Sequence, residues 1–218
     1  MVQSGLKNDK ILRYVKPARY GYQWQSVLSV LQLKPTDFDP AFNFDYTQSD
    51  LPKEQTRGNQ PYYLPLGWYR HGLNVKDKYK DDNSVWLGSS NVPGEWPVAF
   101  HGTHSTAVSS ITQTGLTTGT AKRDAMEDEA VQQLGDKAKG KGLYLATYCN
   151  DGSYPQYTQP FTITTENKTE KYCVVFQCRV RPNSYSIHTR CVKDGKAWRV
   201  IDPTAIRPYG LLLKKEDS

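Results

Sequence analysis

The sequence predicts an α+β fold in which short strands outnumber helices. Runs rich in β-branched and aromatic residues recur along the second half of the chain, whereas helical spacing of apolar residues is limited to a few short segments. The strand candidates are Val98–His104, Gly140–Ala146, Lys171–Val180, Trp198–Ile201 and Tyr209–Leu213. We see no internal repeat, so a sandwich of strands with a few packed helices fits the pattern.

Composition is that of a soluble globular protein with a basic surface. The chain has 218 residues, of which 37% are hydrophobic and 23% are charged, so it can bury the core of one large domain or of a domain with an extension. A formal net charge of +6 and an aromatic content of 12% favour a polyanionic partner with bases that can stack on rings. We therefore expect nucleic acid among its partners.

Cysteine usage and hydropathy predict an intracellular protein, either cytoplasmic or nuclear. No apolar run is long enough to span a membrane, and the residues after Met1 lack the apolar core of a signal peptide. Without such a signal, the cysteines are expected to be thiols rather than disulfides; they are Cys149, Cys173, Cys178 and Cys191.

The composition divides the chain near residue 95. Residues 1–95 form a basic, aromatic-rich extension that we expect to pack on a domain formed by residues 96–218. Cations recur near its start at steps of three, and these are Lys7, Lys10, Arg13, Lys16 and Arg19. If this part is helical, they form a basic stripe, which is either a solvated helix face or an arm that binds nucleic-acid phosphates.

The rest of the extension leaves several interpretations open. Residues 24–34 contain a weak apolar helix or strand, and the Pro-punctuated residues 34–61 predict an irregular surface wrap or a linker. Residues 61–72 are dense in rings and form either an aromatic cap on the core or a wall that faces substrate.

Two motifs organise the second half of the chain. Val98–His104 is a strand that ends in His-Gly-Thr; we expect Ser105 to cap the helix that follows and Gly115 to end it. The other motif, Gly140–Ala146, reads Gly-Lys-Gly-Leu-Tyr-Leu-Ala. Each delivers a polar or aromatic side chain to the end of a strand, and together they predict a nucleotide pocket.

These two motifs in this order resemble the catalytic domain of the poly(ADP-ribose) polymerase type within the diphtheria-toxin-like ADP-ribosyltransferases. The resemblance covers about residues 96–213, and Glu-Trp-Pro-Val-Ala-Phe-His-Gly-Thr is also similar to the ADP-ribosyltransferase-like module of neuralized-like proteins. It implies a split β-sandwich, NAD as co-substrate, and transfer of ADP-ribose with release of nicotinamide.

The resemblance also assigns roles to residues of the two motifs. His101 matches the histidine that hydrogen-bonds the adenine-side ribose, although a satisfied core histidine is the alternative. Gly102, followed by Thr103, matches the residue whose backbone pairs with the carboxamide, and Tyr144 matches the tyrosine beside the nicotinamide.

The resemblance extends to segments on both sides of the second motif. Ser153 and Tyr157 resemble a serine and a second stacking tyrosine, with Tyr154 competing with Tyr157 for the register. Residues 119–140 resemble the loop that lies over bound NAD, and the competing interpretation is a plain surface helix and loop.

The sequence departs from the family at Ala197, where the resemblance places a catalytic glutamate. Breaking the bond between nicotinamide and ribose produces an oxocarbenium-like centre, which a carboxylate stabilises and an alanine does not. Three explanations stay open: an inactivated variant, a natural non-catalytic NAD-binding domain, or an enzyme that recruits another carboxylate, for which Glu95, Glu127 and Asp194 are poor candidates.

For the parent fold we predict mono-ADP-ribosyl transfer rather than polymer formation. The predicted acceptor is a DNA base, presented in single-stranded or flipped form, and a protein side chain is the main rival. The other hypotheses are a module that binds NAD, ADP-ribose or nucleic acid without turnover, and a pure interaction domain.

No metal is predicted. Cys173, Cys178, His188 and Cys191 have a zinc-like spacing, but Cys173 and Cys178 lie five apart on a predicted strand and so point to opposite faces. The pair His101 and His104 lacks a carboxylate or thiol nearby to complete a set.

Overall fold

The computed structural model describes residues 24–76, 78–79, 84–118, 124, 126–166 and 168–216. Its helices are α1 (Trp24–Leu31), α2 (Val108–Thr114) and α3 (Glu127–Leu134). The strands are β1 (Phe44–Asp45), β2 (Glu54–Arg57), β3 (Gln60–Tyr63), β4 (Tyr69–Gly72), β5 (Val98–Gly102), β6 (Leu143–Ala146), β7 (Phe161–Thr165), β8 (Lys168–Val180), β9 (Tyr185–His188), β10 (Ala197–Val200) and β11 (Ile206–Lys215).

The strands form one large sheet and one small hairpin. The large sheet has the order β1-β4-β11-β8-β5-β6-β10-β9, with β7 paired to β8, and β2 pairs with β3 separately. All of these strand pairs are antiparallel. A mostly antiparallel sheet with few helices agrees with the predicted α+β class.

Strand β8 is the centre of the sheet. One of its edges pairs with β11, and the other pairs with β7 and then with β5. Its side chains alternate between two apolar clusters, so Cys173 joins one cluster and Cys178 joins the other. The predicted opposite orientation of these two thiols is therefore confirmed.

The extension contributes to the large sheet. The apolar run near residue 28 forms helix α1, which buries Val27, Leu28 and Leu31. Residues 34–61 consist largely of short turns and bends, as an irregular wrap would, but they also contain β1, which pairs with β4 and so joins the segment to the large sheet; the alternative interpretation as a linker is wrong. The predicted basic stripe, from Lys7 to Arg19, lies outside the described residues.

The aromatic segment 61–72 packs on the core. Trp68 and Tyr69 are fully buried, and Trp68 Nε1 donates a hydrogen bond to Asn150 Oδ1 at 2.8 Å. Asn150 Nδ2 donates in turn to the Leu66 carbonyl at 3.0 Å. The interpretation as a packed cap is confirmed, and this cap anchors the loop that follows β6.

Helix α2 ends as predicted but begins differently. The chain enters it through a 3₁₀ turn, Ser105–Ala107, and no side chain caps that turn or the helix. The predicted Ser105 cap is wrong because Ser105 already lies within the turn. Gly115 ends α2 at a φ of 88°, where glycine is favoured.

None of the helices within the described ranges is long and apolar enough to cross a membrane.

Candidate ligand-binding site

A cavity opens where β5 and β6 separate. These two strands pair only at Phe100 and Ala146, while β6 pairs with β10 over its whole length. Beyond Phe100 the gap becomes a cavity of about 640 Å³, a size typical of sites for small molecules and cofactors. Its lining includes every residue of the predicted NAD site, namely His101, Gly102, Thr103, Tyr144, Ser153, Tyr157 and Ala197.

Strand periodicity explains why residues far apart in sequence share this cavity. Tyr144 and Ala146 of β6 lie opposite Arg199 and Ala197 of β10. Directly opposed residues of an antiparallel pair project to the same face, as do residues two apart on one strand. One face of these two strands therefore carries all four side chains, and three of them, Tyr144, Ala146 and Ala197, line the cavity.

His101 presents one ring nitrogen to the protein and leaves the other for a ligand. Its Nδ1 lies 3.0 Å from the carbonyl oxygen of Tyr144. Because a carbonyl only accepts, Nδ1 carries the proton and Nε2 of the neutral ring is an acceptor. Burial lowers the pKa of His101, which favours this neutral form.

Gly102 offers its peptide groups to the cavity. The Pro97 carbonyl accepts a hydrogen bond from Val180 of β8, whereas the Phe100 carbonyl accepts one from Ser153 Oγ at 2.8 Å. Alternate peptide groups of a strand point the same way, so Gly102 faces away from β8, as Phe100 does. A Cβ at Gly102 would lie 2.5 Å from the Ser153 carbonyl oxygen, so only glycine fits here.

The turn after β6 places one of the two competing tyrosines at the cavity. Tyr157 lines it and is 43% exposed, and its hydroxyl donates to the Cys191 carbonyl. Tyr154 instead packs edge-on against Trp68 at 5.3 Å and donates to Glu216 at 3.0 Å. Tyr157, and not Tyr154, is thus positioned to contact a ligand.

At Ala197 the cavity wall lacks a carboxylate. Ala197 is buried and faces the small side chain of Ala146. The alternatives from the sequence do not line the cavity: Glu95, Glu127 and Asp194 each accept hydrogen bonds from backbone amides elsewhere. None of these three is placed to replace the expected glutamate.

Asp124 is the only carboxylate on the cavity wall within the described residues, and sequence reasoning missed it. It pairs with Arg199, whose Nε lies 3.0 and 3.1 Å from its two carboxylate oxygens. It also accepts hydrogen bonds from the Tyr144 hydroxyl and from the backbone amides of Gly142 and Met126. The sequence held one indication of such a residue: Arg199 shares a strand face with Ala197, and a buried cation needs a counter-ion.

Arg199 packs against the second motif and explains its Gly142. The guanidinium donates to the carbonyls of Ala138 at 2.8 Å and Gly140 at 2.6 Å. A Cβ on Gly142 would lie 2.5 Å from Arg199 Cγ, so this motif has room for the arginine only with glycine there.

The ion pair predicts a pH dependence of stability. Burial alone would raise the pKa of Asp124, but hydrogen bonds from Arg199, Tyr144 and the two amides hold it at about 2, below the ordinary 3.8. A lowered folded-state pKa stabilises the fold above the unfolded pKa, and this contribution is lost as the pH falls toward 2. We expect the difference in free energy of unfolding between wild type and Asp124→Asn to shrink between about pH 4 and 2 in denaturant titrations. A difference independent of pH would contradict the assignment.

Comparison with other proteins adds no assignment, since no model of a protein family and no curated protein matches the chain. No three His, Cys, Asp or Glu side chains in the described part of the chain are grouped to hold a metal. His104 is exposed and does not line the cavity, so it does not join His101.

Proposed function

We propose that this chain is an NAD-binding domain of the ADP-ribosyltransferase type, with the split β-sandwich that the resemblance implies. Its parent activity would be mono-ADP-ribosyl transfer, with a DNA base as acceptor and release of nicotinamide. The observation that carries the proposal is the convergence of the two motifs on one cavity. His101 from the first motif and Tyr144 from the second line the same cavity and are joined by a hydrogen bond.

Each group at the cavity suits one part of NAD. His101 Nε2 can accept a hydrogen bond from a ribose hydroxyl, and the peptide groups of Gly102 match the donor and acceptor of a carboxamide. The rings of Tyr144 and Tyr157 offer flat apolar faces to the nicotinamide. Apolar side chains complete the wall for the rest of the dinucleotide, among them Ile111, Leu116 and Leu143.

The reaction breaks the glycosidic bond between nicotinamide and ribose. The bonding electrons leave with nicotinamide, positive charge develops on the ribose, and the acceptor nucleophile then attacks its anomeric carbon. A carboxylate near that carbon would stabilise the charge, but position 197 carries a methyl group and Asp124 is already paired with Arg199. We therefore expect this sequence to bind NAD with little turnover.

The same observation favours a second candidate function, a natural module that binds NAD or ADP-ribose without chemistry. The two candidates share the cavity and differ only in what happens when a carboxylate is restored at position 197. A protein acceptor stays the rival to DNA, for which the support is the net charge of +6 and the aromatic content.

The proposal predicts NAD binding that depends on His101 and not on His104. By isothermal titration calorimetry we expect His101→Ala to weaken NAD binding at least about tenfold, because it removes the acceptor proposed for a ribose hydroxyl. His104→Ala is the matched control, since His104 is exposed and lies outside the cavity; it should bind like wild type. Circular dichroism of each variant verifies the fold.

Other results would point elsewhere. A wild type that does not bind NAD would remove the proposal and leave a pure interaction domain. NAD binding that is indifferent to His101→Ala would place the ligand outside this cavity.

A further inference from the structure

We propose that Asp124 is a positioning residue of the NAD site, which fixes the ring of Tyr144 by accepting its hydroxyl hydrogen bond. The inference rests on the proposed function, because it assigns the role of Asp124 toward the same ligand. It concerns a residue that lies outside both motifs and is 20 residues from Tyr144 in sequence.

The contacts of Asp124 join three parts of the cavity wall. Its backbone lies in the segment before α3, its carboxylate accepts from Tyr144 and Gly142 of the second motif, and it pairs with Arg199 of β10. Two rigid strands and one loop thus meet at a single side chain, which is 6% exposed. Charge-assisted hydrogen bonds of this kind hold side chains in defined orientations.

The contact determines what Tyr144 is able to do. A phenol has one hydrogen to donate, and Tyr144 donates it to Asp124, so the hydroxyl is unavailable as a donor to a ligand. Since Tyr144 lines the cavity, its ring is the part that is left to contact a ligand. Because the hydrogen bond at the hydroxyl already fixes the ring, a flat ligand can bind to it without a further loss of side-chain rotational freedom.

Asp124 does not replace the missing glutamate in this arrangement. Arg199 occupies both carboxylate oxygens, and the Tyr144 hydroxyl and two backbone amides take the remaining acceptor positions. Stabilising a cationic ribose would require a carboxylate that is free of such partners. Asp124 therefore acts on the ligand through Tyr144.

A double-mutant cycle tests this role. NAD affinity is measured by calorimetry for wild type, Asp124→Asn, Tyr144→Phe and the double variant. Each single variant should weaken binding about tenfold, because Asp124→Asn replaces the charge-assisted hydrogen bond by a weaker neutral one and Tyr144→Phe removes it. If Asp124 acts through the Tyr144 hydroxyl, the double variant should be no weaker than Tyr144→Phe alone. Asp136→Asn is the control, since Asp136 is highly exposed and pairs with the exposed Lys139, and it should bind like wild type.

A second readout follows the tyrosine itself. In protein labelled with 3-fluorotyrosine, the ¹⁹F signal that is lost in Tyr144→Phe belongs to Tyr144. This signal should shift in Asp124→Asn. The ionisation of Tyr144 should also move to lower pH, because burial and then the Asp124 carboxylate raise its pKa, and the variant removes the contribution of the carboxylate.

Each alternative outcome is decisive. Additive effects of about a hundredfold in the double variant, NAD binding by Asp124→Asn equal to wild type, or an unchanged ¹⁹F signal would overturn the inference while leaving the proposed function intact. A wild type that does not bind NAD would overturn both.

Discussion

Replacing Ala197 by glutamate is expected to raise the rate of nicotinamide release from NAD by about a hundredfold or more. A single group that stabilises developing charge in a preorganised site contributes about 10²–10³ in rate. The rest of the proposed site is already assembled, since the tyrosines, His101 and Gly102 line one cavity with Ala197. A carboxylate at position 197 would supply the one group that the resemblance requires and the chain lacks.

The structure has room for that side chain. Ala197 lines the cavity, and its neighbour across β6 is another alanine, Ala146. On the other side, β9 places His188 opposite, with its Nε2 held 2.8 Å from Ser186 Oγ and its Nδ1 3.2 Å from Glu129. A glutamate at 197 can therefore extend into the cavity on the side of Ala146.

The matched control is Ala197→Gln, which has the same size and no charge. Nicotinamide release is measured for wild type and both variants with single-stranded DNA, duplex DNA, RNA or a protein mixture, and the acceptor is examined by mass spectrometry. Release by the glutamate variant alone would support the transferase, and a DNA-linked mass of one ADP-ribose unit would support the predicted acceptor.

Other outcomes separate the alternatives. If both variants bind NAD and neither releases nicotinamide, the domain is a binding module. Equal release by the glutamate and glutamine variants would mean that the charge at position 197 is not what the reaction needs. Modification of protein alone would replace the DNA base as acceptor.

The elements that could be predicted from the sequence are those whose structure depends on residues close together in the chain. β8 was evident because its apolar run is long and rich in β-branched residues, and Gly115 ended a helix as its conformational freedom suggests. The two motifs lie at the cavity because each is the end of a strand. Local order of this kind is visible in sequence.

Contacts between distant segments were not predictable in this way. Asp124 lies 75 residues from Arg199, and nothing around either residue specifies the other. β1 has only two residues, too few for an alternating pattern, and exists because β4 lies beside it. Ser105 has the chemistry of a helix cap, but the chain leaves β5 in a direction that produces a 3₁₀ turn first.

Replacing Arg199 by methionine is expected to destabilise the fold by about 3–5 kcal/mol, because it leaves the Asp124 carboxylate buried without its counter-ion. Both side chains are almost inaccessible, with exposed fractions of 0% and 6%. For a chain of this size that loss corresponds to a fall in melting temperature of roughly 10 °C by calorimetry.

The molecule contains its own control for this substitution. Arg181 and Asp202 form the same kind of ion pair at 3.1 Å, but their side chains are 42% and 49% exposed. Because solvent screens exposed pairs, Arg181→Met should cost less than about 1 kcal/mol. Adding Asp124→Asn to Arg199→Met should recover part of the loss, since the buried charge is then removed together with its partner. Equal effects of the two arginine substitutions would show that Asp124 is solvated in solution. The hydrogen bond from Tyr144 to a buried Asp124 carboxylate would then not fix the position of the tyrosine ring.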